Sequence, residues 1–182
     1  MAISLAVTGA DGALSYGAGP GGLRADLAEG PLLLGPLYDL FPFDNRVEAL
    51  TLNGAELRAL LLDQLQRPRW RARALGISGL RIAIGCHTGR DRVAIVRPSG
   101  RPVADDERLT LAMTDFLATR ARRLQLSRVA AAAVAGDLQV RDAVLAWVRA
   151  RPLLASAAFA VAGAPRWSRT DQAAAGCVAP AQ

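Results

Sequence analysis

The chain has 182 residues, 52% of them hydrophobic, with 17 Gly and 10 Pro. That is one domain's length with enough apolar residues for a real core, which excludes a disordered body, a collagen-like fibre and, since no run approaches ~18 apolar residues, a membrane-spanning helix. The formal charge is +6, but all 22 basic residues are Arg, a compositional bias that weakens the usual link between high pI and nucleic acid. The Arg clusters at Arg67 to Arg73 and at Arg120 to Arg128 read as solvated faces, and nucleic acid is not an expected partner.

In chain order, Ala2 to Val7 reads as a short buried strand, followed by a glycine-rich loop from Gly9 to Gly22. Leu37 to Leu40 reads as a helical turn stopped by Phe41-Pro42, because a residue before Pro avoids the helical region. Val47 to Leu52 alternates as a half-buried strand. Asn53 is placed to cap a helix whose buried face is Leu57, Leu60, Leu61 and Leu65. Ile77 to Ile84, Arg92 to Val96 and Arg108 to Met113 read as strands, with a turn at Pro98-Ser99-Gly100. Val140 to Arg149 carries Val140, Val144, Leu145 and Val148 on one helical face and stops before Pro152.

Mixed helices and strands, several of them successive and antiparallel in character, predict an α+β fold with a mixed sheet and flanking helices. Residues 1–165 are expected to form one domain and residues 166–182 a loose tail. The N-terminus lacks the basic start and sustained apolar run of a secretory leader. Cys86 and Cys177 permit a disulfide without implying one.

Gly17-Ala18-Gly19-Pro20-Gly21-Gly22 satisfies the GxGxxG spacing of a dinucleotide site. That site needs a strand directly before it and a helix of about three turns directly after it, whose N-terminus holds the pyrophosphate. Here the strand ends earlier, Pro20 occupies the loop, and only Leu23 to Glu29 follows before Gly30-Pro31. A glycine-rich turn explains the motif better.

The residues beyond it are more specific. Gly21-Gly22-Leu23-Arg24, then Gly30-Pro31, Leu37-Tyr38-Asp39-Leu40-Phe41-Pro42-Phe43-Asp44-Asn45 and Leu50-Thr51-Leu52-Asn53-Gly54-Ala55-Glu56-Leu57 resemble, in order and spacing, the C-terminal domain of the 5'-nucleotidase family. Ile77-Ser78-Gly79-Leu80-Arg81 is similar to that family's VSGLR strand, Gly100-Arg101-Pro102-Val103 to its NGKPL turn, and Leu109 to Leu117 to its TVATNDFLA segment. Val140-Arg141-Asp142-Ala143-Val144 is similar to its final helix. The resemblance covers roughly residues 18 to 150 and implies that family's C-terminal-domain fold.

The resemblance also implies a role in nucleotide catabolism. In the family this domain binds the nucleotide, while an N-terminal metallophosphoesterase domain holds two metal ions and hydrolyses the phosphoester. Carried over by residue, Arg24 matches the arginine at the phosphate and sugar, a fork of donors suited to an oxyanion. Phe43 and Phe116 match the two aromatics that sandwich the base. Asn45 matches the asparagine on the base edge, with turn capping as its equally good structural role. The expected ligand is a nucleotide or nucleoside, and the expected partner a metallophosphoesterase domain or chain.

No catalytic residue and no cofactor is expected here. Divalent metals belong to the N-terminal domain, and the lone histidine, His87, has no ligand cluster around it, so the chain alone is expected to be inactive. The family is usually periplasmic or on the cell surface. One departure from the pattern stands out: the family's second aromatic is followed by a GGDG loop whose Asp bonds the ribose, and here Thr119 to Arg123 stand there, with Arg122 at the Asp position. Loss of the glycines and of the acceptor leaves a second reading open, a degenerate domain that binds another anionic ligand or serves as a basic interaction module.

Overall fold

The computed structural model describes residues 10–15, 23–65, 75–123, 138–151, 153–154 and 166–170. The expected strand Ala2 to Val7, the GxGxxG glycines and the Arg67 to Arg73 cluster lie outside the described residues.

Strand β6 (Arg108–Thr114) is the axis of the first sheet, with Leu109, Leu111, Ala112 and Met113 buried. On one side it pairs antiparallel with β2 (Val47–Asn53), from Val47 opposite Thr114 to Asn53 opposite Arg108. On the other it pairs in parallel with β1 (Gly12–Ser15), which pairs antiparallel with β3 (Gly76–Ser78), giving the order β2-β6-β1-β3. Strand β1 falls within the stretch expected to be a glycine-rich loop. Glycine count misleads there because Ala13 and Leu14 are buried and Gly12 is a close-packing position, where a Cβ would meet the Leu80 side chain at 3.0 Å.

Ile77 to Ile84, expected as one strand, is two. Gly79 takes φ +76 and passes so close to Asp11 that a Cβ would lie 2.5 Å from the Asp11 carbonyl oxygen. The chain turns there from β3 into β4 (Arg81–His87), which opens a second sheet. Strand β4 forms a hairpin with β5 (Arg90–Val96) through Thr88 (φ 49) and Gly89 (φ 74), the two positive dihedrals of a tight hairpin turn. Strand β7 (Trp167–Arg169) adds in parallel to β4, giving the order β5-β4-β7. The expected loose tail therefore begins with a paired strand, because the Trp167 indole packs on the core and its Nε1–H donates to the Leu75 carbonyl at 2.7 Å. Residues 171–182 lie outside the described residues.

Four helices are described. Helix α1 (Leu34–Leu40) starts earlier than expected, since Pro36 is tolerated within its first turn, and ends at Phe41 before Pro42. Helix α2 (Gly54–Leu65) is capped reciprocally: the Glu56 N–H donates to Asn53 Oδ1 at 2.8 Å and the Asn53 N–H to Glu56 Oε2 at 2.7 Å. Its leucines, Leu57, Leu60, Leu61 and Leu65, are buried as the spacing predicts, and the helix packs against β2 of one sheet and β5 of the other. Helix α3 (Asp115–Arg123) follows β6 directly, with Thr114 Oγ1 accepting from the Leu117 N–H at 3.3 Å. Helix α4 is Val140–Arg149, and the face expected to be apolar is only half-buried, while Arg141 and Ala143 are buried. The fold is α+β, two sheets around one leucine-rich core with helices on the flanks.

Candidate functional site

The site is built where β2 begins and β6 ends. Because Val47 pairs with Thr114, the turn leading into β2 and the helix leaving β6 emerge at the same end of the sheet. Their junction is tied by the Asp115 N–H, which donates to the Arg46 carbonyl at 2.9 Å. The turn carries Phe43 and Asn45, and the second residue of α3 is Phe116. Both rings are exposed, Phe43 by 41% and Phe116 by 63%. Phe41, two residues before Phe43, is half-buried, so the two phenylalanines flanking Pro42 divide the roles of anchor and exposed ring.

Arg24 reaches the same place. Its N–H donates to the Leu40 carbonyl at 3.1 Å, and its guanidinium lies 5.7 Å from the Phe43 ring centroid, within cation–π range. Asn45 is half-buried, and its backbone carbonyl accepts from the Val140 N–H at 2.9 Å. All four residues singled out in the sequence thus stand around one end of the first sheet. The end offers two apolar ring faces, a guanidinium and an amide, a set suited to a flat heterocycle bearing an anionic tail.

Sequence reasoning missed Arg141 and Tyr38. Arg141 is 8% exposed, donates from Nη2 to Asp44 Oδ1 at 2.7 Å and from Nη1 to the Phe41 carbonyl at 3.2 Å, and stacks at 4.0 Å on the Tyr38 ring. The hydrogen bond it donates to Asp44 raises the guanidinium's pKa above its ordinary value. Nothing in the spacing of α4 signals this, since an arginine beside Asp142 reads as part of a polar helix face.

The opposite end of β6 is held by charge. Glu107 accepts from Arg101 at 2.7 Å and from Arg97 at 2.6 Å, and Arg97 also donates to Asp11 at 2.9 Å. The guanidiniums of Arg101 and then Arg97 hold the Glu107 carboxyl down at about 2. For Asp11, burial pushes the carboxyl up, but Arg97 and the Thr110 N–H outweigh it and keep the pKa below the ordinary value. These contacts join β5 to β1 and β6, so this end of the molecule is a structural clasp.

The sequence pattern of the 5'-nucleotidase, C-terminal domain, matches residues 6–126. The chain belongs to that family. The same fold recurs in the 5'-nucleotidase precursor of Thermus thermophilus, at 23% identity and a TM-score of 0.71, covering 94% of this chain and 34% of that one. It recurs in the NAD nucleotidase of Haemophilus influenzae, at 14% identity and a TM-score of 0.66, over 88% and 30% of the two chains. A sulfate thiohydrolase of Thermus thermophilus carries it as well, at 16% identity and a TM-score of 0.58, over 94% and 31%. The chain thus spans about a third of the length of these solved proteins. No curated protein matches it.

Within this 5'-nucleotidase C-terminal domain, Thr119 to Arg123 is not a rebuilt loop. It is the second half of α3, with Ala121 fully buried and Leu117, Ala118 and Ala121 in the core, while Arg122 pairs with Glu48 of β2. Helix formers replace the glycines, so the positive-φ requirement expected there does not arise. His87 ends β4 and is exposed beside the hairpin turn. Cys86, its neighbour, is disulfide-bonded, and Cys177 lies outside the described residues. Among the described residues no group of three or more His, Cys, Asp or Glu could hold a metal ion, and no helix is long and apolar enough to cross a membrane.

Proposed function

We propose that this chain is the nucleotide-binding domain of a 5'-nucleotidase-like phosphohydrolase, with Phe43 and Phe116 stacking on the two faces of the base, Asn45 on the base edge and Arg24 toward the sugar and phosphate. The observation that carries the reading is the exposure of Phe43 and Phe116 at one end of the β2–β6 pair, with Arg24 and Asn45 beside them. Two exposed phenyl rings beside a guanidinium match the demands of a base with a charged tail. Hydrolysis itself would fall to a metallophosphoesterase domain, in the same protein or a partner chain, that supplies the divalent metals. The disulfide at Cys86 supports an oxidising compartment such as the periplasm or cell surface.

A second reading rests on helix α3. With Arg122 turned to Glu48 and no acidic residue between Thr119 and Arg123 for the ribose hydroxyls, this part of the helix also suits a domain that takes a different anionic ligand. Calorimetric titration separates the two. Under the nucleotide reading adenosine and AMP bind, and Phe43→Ala and Phe116→Ala each weaken binding about five- to hundredfold, since stacking is worth ~1 to 3 kcal/mol per base. Unchanged affinity in both folded variants refutes the clamp.

A further inference from the structure

We infer that Arg141 is a positioning residue for the aromatic turn: it holds the Phe41–Asn45 segment in the one geometry that presents Phe43 to a ligand. The inference rests on the nucleotide-binding reading above. Phe43 itself is exposed, and the turn around it borrows its order from elsewhere. On its N-terminal side, the Phe41 carbonyl accepts from Arg141 Nη1 at 3.2 Å, and on its C-terminal side Asp44 accepts from Nη2 at 2.7 Å. The same guanidinium is pressed at 4.0 Å on Tyr38 of helix α1, which feeds the turn. One planar group therefore fixes three successive parts of a short segment that straddles the stacking ring.

The neighbouring backbone makes Arg141 a fixed post. The Val140 N–H donates to the Asn45 carbonyl and the Val47 N–H to the Leu138 carbonyl, both at 2.9 Å, and Arg46 bridges Gln139. Residues 138–141 thus run along the turn from Asn45 to Val47, and the Arg141 side chain extends that contact back to Phe41. Burial of Arg141 is compensated at Nη1 by Phe41 and at Nη2 by Asp44 and by Gln139 Oε1 at 3.3 Å, while Nε has no partner among the described residues. Asp44 is itself 73% exposed, so the pair exists for the turn rather than for the core. A lysine would keep the charge but lose the fork and the ring stacking that reach both sides of Phe43.

Hydrogen exchange and adenosine titration on the same samples test this. In Arg141→Gln, the amides of Val47 and Val140, which tie the turn to residues 138–141, exchange faster while those of β6 keep their protection, and adenosine affinity falls about tenfold, because a turn that is competent only a tenth of the time dilutes binding by that fraction. Asp44→Asn, which alters only an exposed partner and leaves the core alone, produces the same pattern more weakly. The double variant is no worse than Arg141→Gln, and Arg141→Lys is intermediate. Wild-type exchange at Val47 and Val140 and wild-type affinity in both Arg141→Gln and Asp44→Asn overturn the inference while leaving the clamp intact, provided Phe43→Ala still weakens binding. If the wild-type chain binds no adenosine, the nucleotide reading falls and the binding role of Arg141 with it.

Discussion

Converting residues 120–123 to the family's glycine-rich pattern, by Arg120→Gly, Ala121→Gly, Arg122→Asp and Arg123→Gly together, tests whether α3 or a lost loop governs this end of the domain. Each glycine costs about 1 kcal/mol in a helix relative to a good helix former. Ala121 is fully buried, so its methyl adds about 0.8 kcal/mol. The new carboxylate at 122 faces Glu48 in place of an ion pair, which adds less than about 1 kcal/mol because Arg122 and Glu48 are 43% and 24% exposed. With the last position fraying at the helix end, the expected loss is about 3 to 4 kcal/mol, a large part of the ~5 to 15 kcal/mol that holds a domain together. At ~2 kcal/mol per molar urea, the unfolding midpoint drops by roughly 1.5 to 2 M, and helical ellipticity falls with it. Arg122→Ala alone costs under about 1 kcal/mol. A quadruple variant with an unchanged midpoint and tighter AMP binding would refute the reasoning, since it would mean that the segment prefers a ligand-binding loop to the helix.

Acid stability tests the clasp at the far end of β6. Glu107 sits at about 2 when folded, against an ordinary 4.5, so its contribution is complete above 4.5 and is lost as pH falls toward 2; Glu107→Gln should flatten the acid limb of stability against pH, and an unchanged limb would remove Glu107 from the clasp. Gly79→Ala forces a side chain into φ +76 and against the Asp11 carbonyl, and should cost about 1 to 3 kcal/mol and several degrees of Tm by calorimetry. A wild-type Tm would show that the β3–β4 corner has room to relax.

The parts legible in the sequence were those written in local patterns. The α2 leucines at helical spacing, the Asn53 cap with Glu56 three residues on, and the alternation along β2 and β6 each follow from residues close together in the chain. Strand β1 was hidden because glycine, which usually marks a loop, is used there to let Leu80 and Leu111 pack close. Strand β7 was hidden because three residues are too few to carry a periodicity, and the Trp167 anchor settles their place. For the site, the family pattern picks out Arg24, Phe43, Asn45 and Phe116, and the β2–β6 register explains why the turn with Phe43 and Asn45 and the helix with Phe116 leave the sheet at the same end. Arg141 joins the turn from 97 residues away, and no local pattern encodes such a contact.

The most direct test of the central claim is a nuclear Overhauser measurement on the chain saturated with AMP, with the phenylalanine rings selectively labelled. The proposed clamp predicts contacts from the adenine ring protons to both Phe43 and Phe116, with those adenine protons shifted upfield by the stacked rings. Contacts to neither ring, or AMP found instead against Arg97 and Arg101 at the opposite end of β6, would contradict it.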